Sequence, residues 1–197
     1  DYEKAIRTRY GDLADAFLAL YPASDIRESL LATTRDAMYA WTAERLARSQ
    51  TAVGQPAYLY RFDHGYPAAD DKGLHGFHAS ELPFVFGTLD QTPPYWPKVP
   101  DTPAEHALSA AMTSYWASFV KGGAPTAAGE PAWPRFGAAG AYMDFQATPT
   151  PREQIAREPY ALDETVVCRR RIAGDQAWNW NVGVASPPVP AKSAACP

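Results

Sequence analysis

The chain has 197 residues, 46% of them apolar and 20% charged, with 18 basic against 22 acidic side chains and a net charge of −4. That is length for one domain with a real hydrophobic core and hardly for two, in a composition ordinary for a globular protein. The mildly acidic balance disfavours a nucleic-acid partner, and no apolar stretch reaches the roughly 18 to 20 residues that span a bilayer.

The opening residues, DYEKAIRTRYGDL, are charged, lack the apolar core of a signal peptide and do not begin with Met. Residue 1 is therefore expected to be an internal point of a longer precursor. The first fifty residues read as helix. Leu13, Phe17, Leu18, Leu20 and Tyr21 recur at helical spacing until Pro22 stops the run. A second pattern starts at Ser24 and runs through Ile26, Leu30, Leu31, Met38, Trp41 and Leu46, giving out in SQTAVGQP.

Residues 57–65, AYLYRFDHG, carry Tyr58, Leu59, Tyr60 and Phe62 in a short strand that ends at Asp63-His64-Gly65. Its apolar residues do not strictly alternate, the pattern of a strand covered on both faces. A loop rich in Gly, Pro and Asp leads into GLHGFHASELPFVFG, residues 73–87, and the Pro-rich QTPPYWPKVPD follows. The best-marked helix starts at Thr102, with Pro103 at its first position and Glu105 where a capping box places it. Leu108, Met112, Tyr115, Trp116, Phe119 and Val120 line one broad face, and Gly122-Gly123 with Pro125 ends it.

GAYMDF, residues 140–145, is a second short strand, and a final helix is predicted from Asp163 to about Trp178. The run Arg169-Arg170-Arg171 within it reads as a solvated helix face rather than a phosphate site. The tail SPPVPAKSAACP, residues 186–197, is Pro/Ala-rich and expected to be loosely held. Cys168 and Cys196 could form one disulfide, or each could pair outside this chain; either points weakly to an oxidising compartment. With no CxxC, a zinc ribbon or redox dithiol is excluded.

A strand, a crossover helix and a second strand normally form a right-handed parallel unit. The order thus indicates an α/β protein, with about two strands of a sheet in hand, and two strands rarely make a stable sheet alone. A loop just past such a strand is where α/β folds build their sites. For the histidines there, three readings stand. They are loop histidines without chemistry; or His75 and His78 bind a metal with Asp63, His64, Asp70 and Asp71, a set lacking any diagnostic spacing; or His78 is a general base. A serine hydroxyl needs a neutral imidazole to take its proton, and the imidazole needs a carboxylate to fix its tautomer. In α/β-hydrolases the order is Ser, acid, His, which puts the other members upstream of His78. These residues hold no GxSxG and no Gly-rich oxyanion loop, so they do not assemble a triad by themselves.

HASELPFVFG, residues 78–87, resembles the histidine segment of type-B carboxylesterases, the cholinesterase-like branch of the α/β-hydrolases. PAYLYRFDH resembles the strand before it. YWASFVKGGAPT, residues 115–126, resembles the family's YWxxFAxxGxPN, with Thr126 where Asn is usual, and PAWPRF, residues 131–136, its WPxY, with Phe136 for Tyr. The earlier YP…TRDAMYAWTAERLA fits the helical region between the acid and the His.

The resemblance implies the C-terminal part of an α/β-hydrolase fold over residues 1–185, the last strands of the sheet with flanking helices, incomplete without an N-terminal portion. His78 would be the catalytic base and acid and Glu81 a hydrogen-bonding residue near the triad. Phe77 and the Tyr95-Trp96 loop would wall the substrate gorge, and Cys168 would pair with an upstream cysteine. The nucleophile, the acid and the oxyanion hole would lie on the upstream portion, as a second chain or a missing segment. The implied activity is two-step hydrolysis of a small-molecule ester, without cofactor, metal or membrane, in a periplasmic or secreted enzyme or otherwise a cytoplasmic one. A non-catalytic binding or adhesion module of the same fold is the alternative.

Overall fold

The first fifty residues do not form two long helices, because Gly11 and Pro22 each break the run. A computed structural model describes residues 1–155, 157–175 and 182–196. It divides into two compact units, Asp1–Val53 with Ala156–Pro197, and Gly54–Ile155. In the first, α1 (Tyr2–Tyr10) meets Gly11 at φ +56°, a left-handed conformation suited to glycine, and passes through a 3₁₀ turn into α2 (Ala14–Leu20). After Pro22, α3 (Ile26–Arg35) is capped by Asp25, whose side chain accepts the Glu28 N–H at 3.1 Å, one residue later than the Ser24 start. A π-helical turn, Asp36–Ala40, joins it to α4 (Trp41–Ala52).

The face that α3 and α4 bury is not the aliphatic one. Ser29, Thr33, Asp36, Ala37, Trp41, Glu44 and Ala47 point inward, while Ile26, Leu30, Leu31 and Leu46 are exposed. The inward polar groups are bonded: Ser29 Oγ donates to Pro22 O at 2.8 Å, and Tyr21 OH donates to Asp36 at 3.1 Å.

In the second unit, β1 (Tyr60–Phe62) pairs in parallel with β2 (Tyr142–Phe145), which pairs antiparallel with β3 (Pro149–Arg152). The parallel pair follows the expected order. Full cover, however, belongs to β2, whose four residues are all buried, whereas Tyr60 is 37% exposed at the sheet's edge. Arg61 lies opposite Asp144 and grips its fully buried carboxylate at 2.9 and 2.8 Å, while Arg152 of β3 adds a bond at 2.9 Å. Strand β3 has no apolar run. It uses Pro149 and Pro151, two apart, so that their missing N–H groups share one side, while Gln154 donates to Gly140 O at 3.0 Å from the other.

Between β1 and β2 lie α5 (Pro67–Asp70), α6 (Leu82–Phe86) and α7 (Pro103–Gly122). Helix α7 begins and ends as predicted, with Thr102 Oγ accepting the Glu105 N–H and Gly123 left-handed at φ +75°. Leu108, Met112 and Tyr115 reach the core with Phe84, Trp133, Met143 and Phe145, but Val120 on the expected face is 82% exposed. The Glu105 carboxylate does not close a capping box; it turns elsewhere, as described below.

The chain returns to the first unit with α8 (Arg157–Ile172). The helix begins before the expected Asp163 and ends at Ile172, well short of the expected Trp178, because the chain turns at Gly174, left-handed at φ +77°; Trp178 itself lies outside the described residues. Arg169 and Arg170 are buried, so the arginine run is not a solvated face; Arg171 alone is exposed. Arg169 binds both oxygens of Asp12 at 2.7 Å, and Arg170 donates to Asp175, Ser186 Oγ and Pro187 O. Long cations enter a core only when paired and hydrogen-bonded, and these are. Their partners include the tail, which is held rather than loose: Val189 N donates to Arg9 O at 2.7 Å, and Cys196 is bonded to Cys168. The partner of Cys168 is thus downstream, a correction to the family pattern, because the tail folds back on α8. Pro197 lies outside the described residues.

Asp163 of α8 is buried, and its carboxylate accepts the Gly183 N–H; Tyr10 OH donates to Gly183 O at 2.6 Å. Burial, then the charge of Asp36, pushes the Asp163 carboxyl up to about 7, against the pull of Gly183 N–H. The folded chain therefore keeps a proton that the unfolded chain has already released, so stability falls as pH rises from about 4 towards 7 and levels off above. At roughly 1.4 kcal/mol per unit, the full effect is several kcal/mol. Asp163→Asn stays neutral and is expected to flatten this slope. Urea melts of both proteins at pH 5 and pH 8 should show its advantage at pH 8.

Candidate active site

Strand β1 hands its chain to the site through backbone contact. Asp63 N donates to Phe145 O at 2.9 Å, continuing the pairing with β2 past the strand's last residue. The histidine loop then folds back over this exit. A Cβ on Gly76 would stand 3.0 Å from Phe62 O and 3.3 Å from Asp63 Cα, tighter than such carbons usually pack, so glycine lets the loop lie this close without displacing either backbone.

Two residues later His78 is the second residue of a turn closed by Ser80 N donating to Phe77 O at 2.9 Å. The third position, Ala79, is left-handed at φ +68°, where glycine is usual. His78 is exposed there. The next residues wind into α6, stopped by Gly87 at φ +66° and fastened to α7 by Ser109 Oγ donating to Phe84 O at 2.9 Å. FVFG is therefore a helix end whose Phe84 and Val85 are buried and whose Phe86 is exposed.

Glu81 stands at the N-cap of α6, half-buried, and its side chain caps nothing. Its charge falls on Tyr60, whose hydroxyl pKa is raised chiefly by burial and further by Glu81. Phe77 is half-buried, with its ring 5.1 Å edge-on to Trp96. Tyr95, in contrast, is 94% exposed. Of the residues singled out in the sequence, Phe77 and Trp96 are brought together beside His78, and Tyr95 turns to solvent.

The remaining histidines are divided among separate carboxylates. His75 Nδ1 lies 2.9 Å from Asp70 at the surface, His106 Nε2 2.7 Å from Asp101, and His64 Nε2 2.7 Å from Glu105 inside. Among the described residues no three His, Cys, Asp or Glu side chains converge as metal ligands. The His64–Glu105 pair is the feature that sequence reading misses. Glu105 occupies the third helical position, where a backbone cap is the ordinary expectation, and nothing in the spacing links it to a residue 41 positions earlier. What the loop offers chemically is a solvent-facing imidazole on a backbone-pinned turn past the end of a parallel strand.

The family model described as "Carboxylesterase family" matches residues 3–162. Liver carboxylesterase B-1 of Rattus norvegicus is 26% identical over 152 residues, 74% of this chain and 26% of that protein. Acylcarnitine hydrolase of the same species is 37% identical over 83 residues, 40% of this chain and 14% of that one. Among solved structures, carboxylesterase EST55 of Geobacillus stearothermophilus matches with TM-score 0.62 and 28% identity, over 75% of this chain and 31% of its own. A PNB esterase matches with TM-score 0.61 and 27% identity, over 81% and 32%. The fold is accordingly the α/β-hydrolase fold of these esterases, and the chain spans about a quarter to a third of their length.

The left-handed residue after His78 gives a test of the turn. Ala79→Gly is expected to hold or slightly raise the melting temperature, since a left-handed Ala costs on the order of 1 kcal/mol. Ala79→Val, adding β-branching where φ is positive, should cost more than about 1 kcal/mol and broaden the His78 imidazole resonances in NMR spectra.

Proposed function

This chain belongs to the carboxylesterase family, and on that premise we propose that it is the histidine-bearing part of a serine carboxylic ester hydrolase. The observation that carries the reading is His78 itself: exposed, on a left-handed turn, pinned by Gly76 past the end of β1, within HASELPFVFG. An upstream portion of the same precursor, as a second chain or a preceding segment, carries the serine, the acid and the oxyanion hole. The serine attacks the ester carbonyl while His78 takes its proton, and backbone N–H groups hold the oxyanion. His78 then protonates the leaving alkoxide and later draws a proton from water to release the acid.

Glu81, half-buried at the start of α6, hydrogen-bonds near the triad once the upstream portion is in place. Phe77 with Trp96 forms an aromatic wall beside the imidazole, and exposed Tyr95 extends it. The substrate is a small-molecule ester. The Cys168–Cys196 disulfide suits an oxidising compartment, periplasmic or extracellular, and no helix among the described residues is long and apolar enough to cross a membrane.

General base catalysis contributes about 10²–10⁴-fold, so His78→Ala should lower turnover by at least that range while the thermal melt stays unchanged. Intact mass spectrometry with a fluorophosphonate probe supplies the second reading. The wild-type enzyme should gain one probe mass on the upstream portion, and the variant should label far more slowly. Labelling at equal rates would overturn the role given to His78.

A further inference from the structure

Beneath the His78 turn lies an imidazole–carboxylate pair that the hydrolytic reading leaves unused. His64 Nε2 and Glu105 Oε2 are 2.7 Å apart, and both side chains are buried. Such a pair is weak evidence for stability, because well-packed apolar residues in its place commonly serve as well. Its position says more. His64 closes the strip of backbone from Phe62 on which Gly76 rests, with a Gly76 Cβ placed 3.6 Å from His64 N. The His64 ring lies 5.4 Å edge-on to Phe84 of α6, the helix that follows His78, and 6.4 Å from Tyr66. Tyr66 OH donates to Pro97 O at 2.9 Å, next to Trp96, which packs on Phe77.

The loop around His78 is therefore supported at its entry by Gly76, at its exit by Phe84 and from the side by Phe77 on Trp96. All three supports adjoin the segment His64–Tyr66, and Glu105 ties that segment to the first turn of α7.

We propose that His64 and Glu105 are positioning residues for His78: their hydrogen bond fixes the floor of the histidine loop and so the aim of the imidazole. The proposal rests on the reading of His78 as general base. A misplacement of about 1 Å remote from the chemistry costs on the order of 100-fold in rate.

The test is the double variant His64→Phe/Glu105→Leu in the enzyme that contains this chain, with active sites counted by fluorophosphonate titration. It keeps an aromatic ring and buried volume but removes the directional bond. The expected result is a melting temperature near that of the wild type with kcat lowered about 10- to 100-fold and KM nearly unchanged. Glu105→Gln, which retains an oxygen acceptor for a neutral imidazole, should restore kcat to within about threefold of the wild type by the same positioning argument. A folded double variant with wild-type kcat, or a Glu105→Gln enzyme as slow as the double variant, would overturn the proposal. His78→Ala separates the two levels: full turnover there removes the general-base reading itself. Loss of turnover there alongside an unaffected double variant removes only the positioning role.

Discussion

One contact sets the rest of the histidine region: the backbone of Gly76 lying against the backbone of Phe62 and Asp63. A parallel strand pair ends in a strip of peptide groups, held straight by the last bond from Asp63 N to Phe145 O. Placing a second backbone on that strip favours a residue with no side chain, since a Cβ at 3.0 Å from a carbonyl oxygen would press the two backbones apart by a few tenths of an ångström. From this point the chain has two residues to reach His78 and four more to enter α6. The histidine owes its exposure to a loop that is itself tightly held.

The helical unit solves a different problem, the burial of polar side chains. Its inward surfaces carry Ser29, Thr33, Asp36, Glu44, Asp163, Arg169 and Arg170, while much of the aliphatic material of α3 and α4 faces out. An unpaired buried charge is costly, and each of the charged side chains here meets a bonded partner, leaving Glu44 Oε2 and Arg169 Nε as the atoms of this group without one among the described residues. The returning tail is part of that solution. Ser186 and Pro187 satisfy Arg170, Gly183 satisfies both Asp163 and Tyr10, and no side chain fits at Gly183, whose Cβ would lie 2.8 Å from that of Ala37.

What was legible in the sequence follows the same physics. Helix α7 could be read residue by residue, because Thr102, Pro103 and Gly123 act locally, through caps that need no tertiary partner. Parallel pairing of β1 with β2 could be read from element order, while the proposal for His78 rests on a run of ten residues resembling the family's histidine segment. Strand β3 could not, since two prolines contradict every strand preference unless one knows that the strand lies at an edge. The buried face of α3 and α4 departs from the aliphatic pattern, Trp41 excepted, for a like reason: periodicity weighs side chains by apolarity and is blind to a partner 119 or more positions away, such as Glu164 for Arg45 and Trp41 at 2.7 and 2.8 Å. Within the site, the turn at Ala79 could not be read, because an alanine occupies the left-handed position where glycine is usual, and His64 with Glu105 depends on how the second unit closes upon itself.

The covalent link between Cys168 and Cys196 lies wholly beyond residue 162, where the match to the carboxylesterase family stops. It closes a ring of chain whose ends are 28 positions apart, and the tail groups that bond Arg9, Arg169 and Arg170 lie within that ring. A protease that severs the backbone inside the ring therefore liberates no peptide. Both sides of the cut stay joined through sulfur, and the lesion shows in electrophoresis only after a thiol is added.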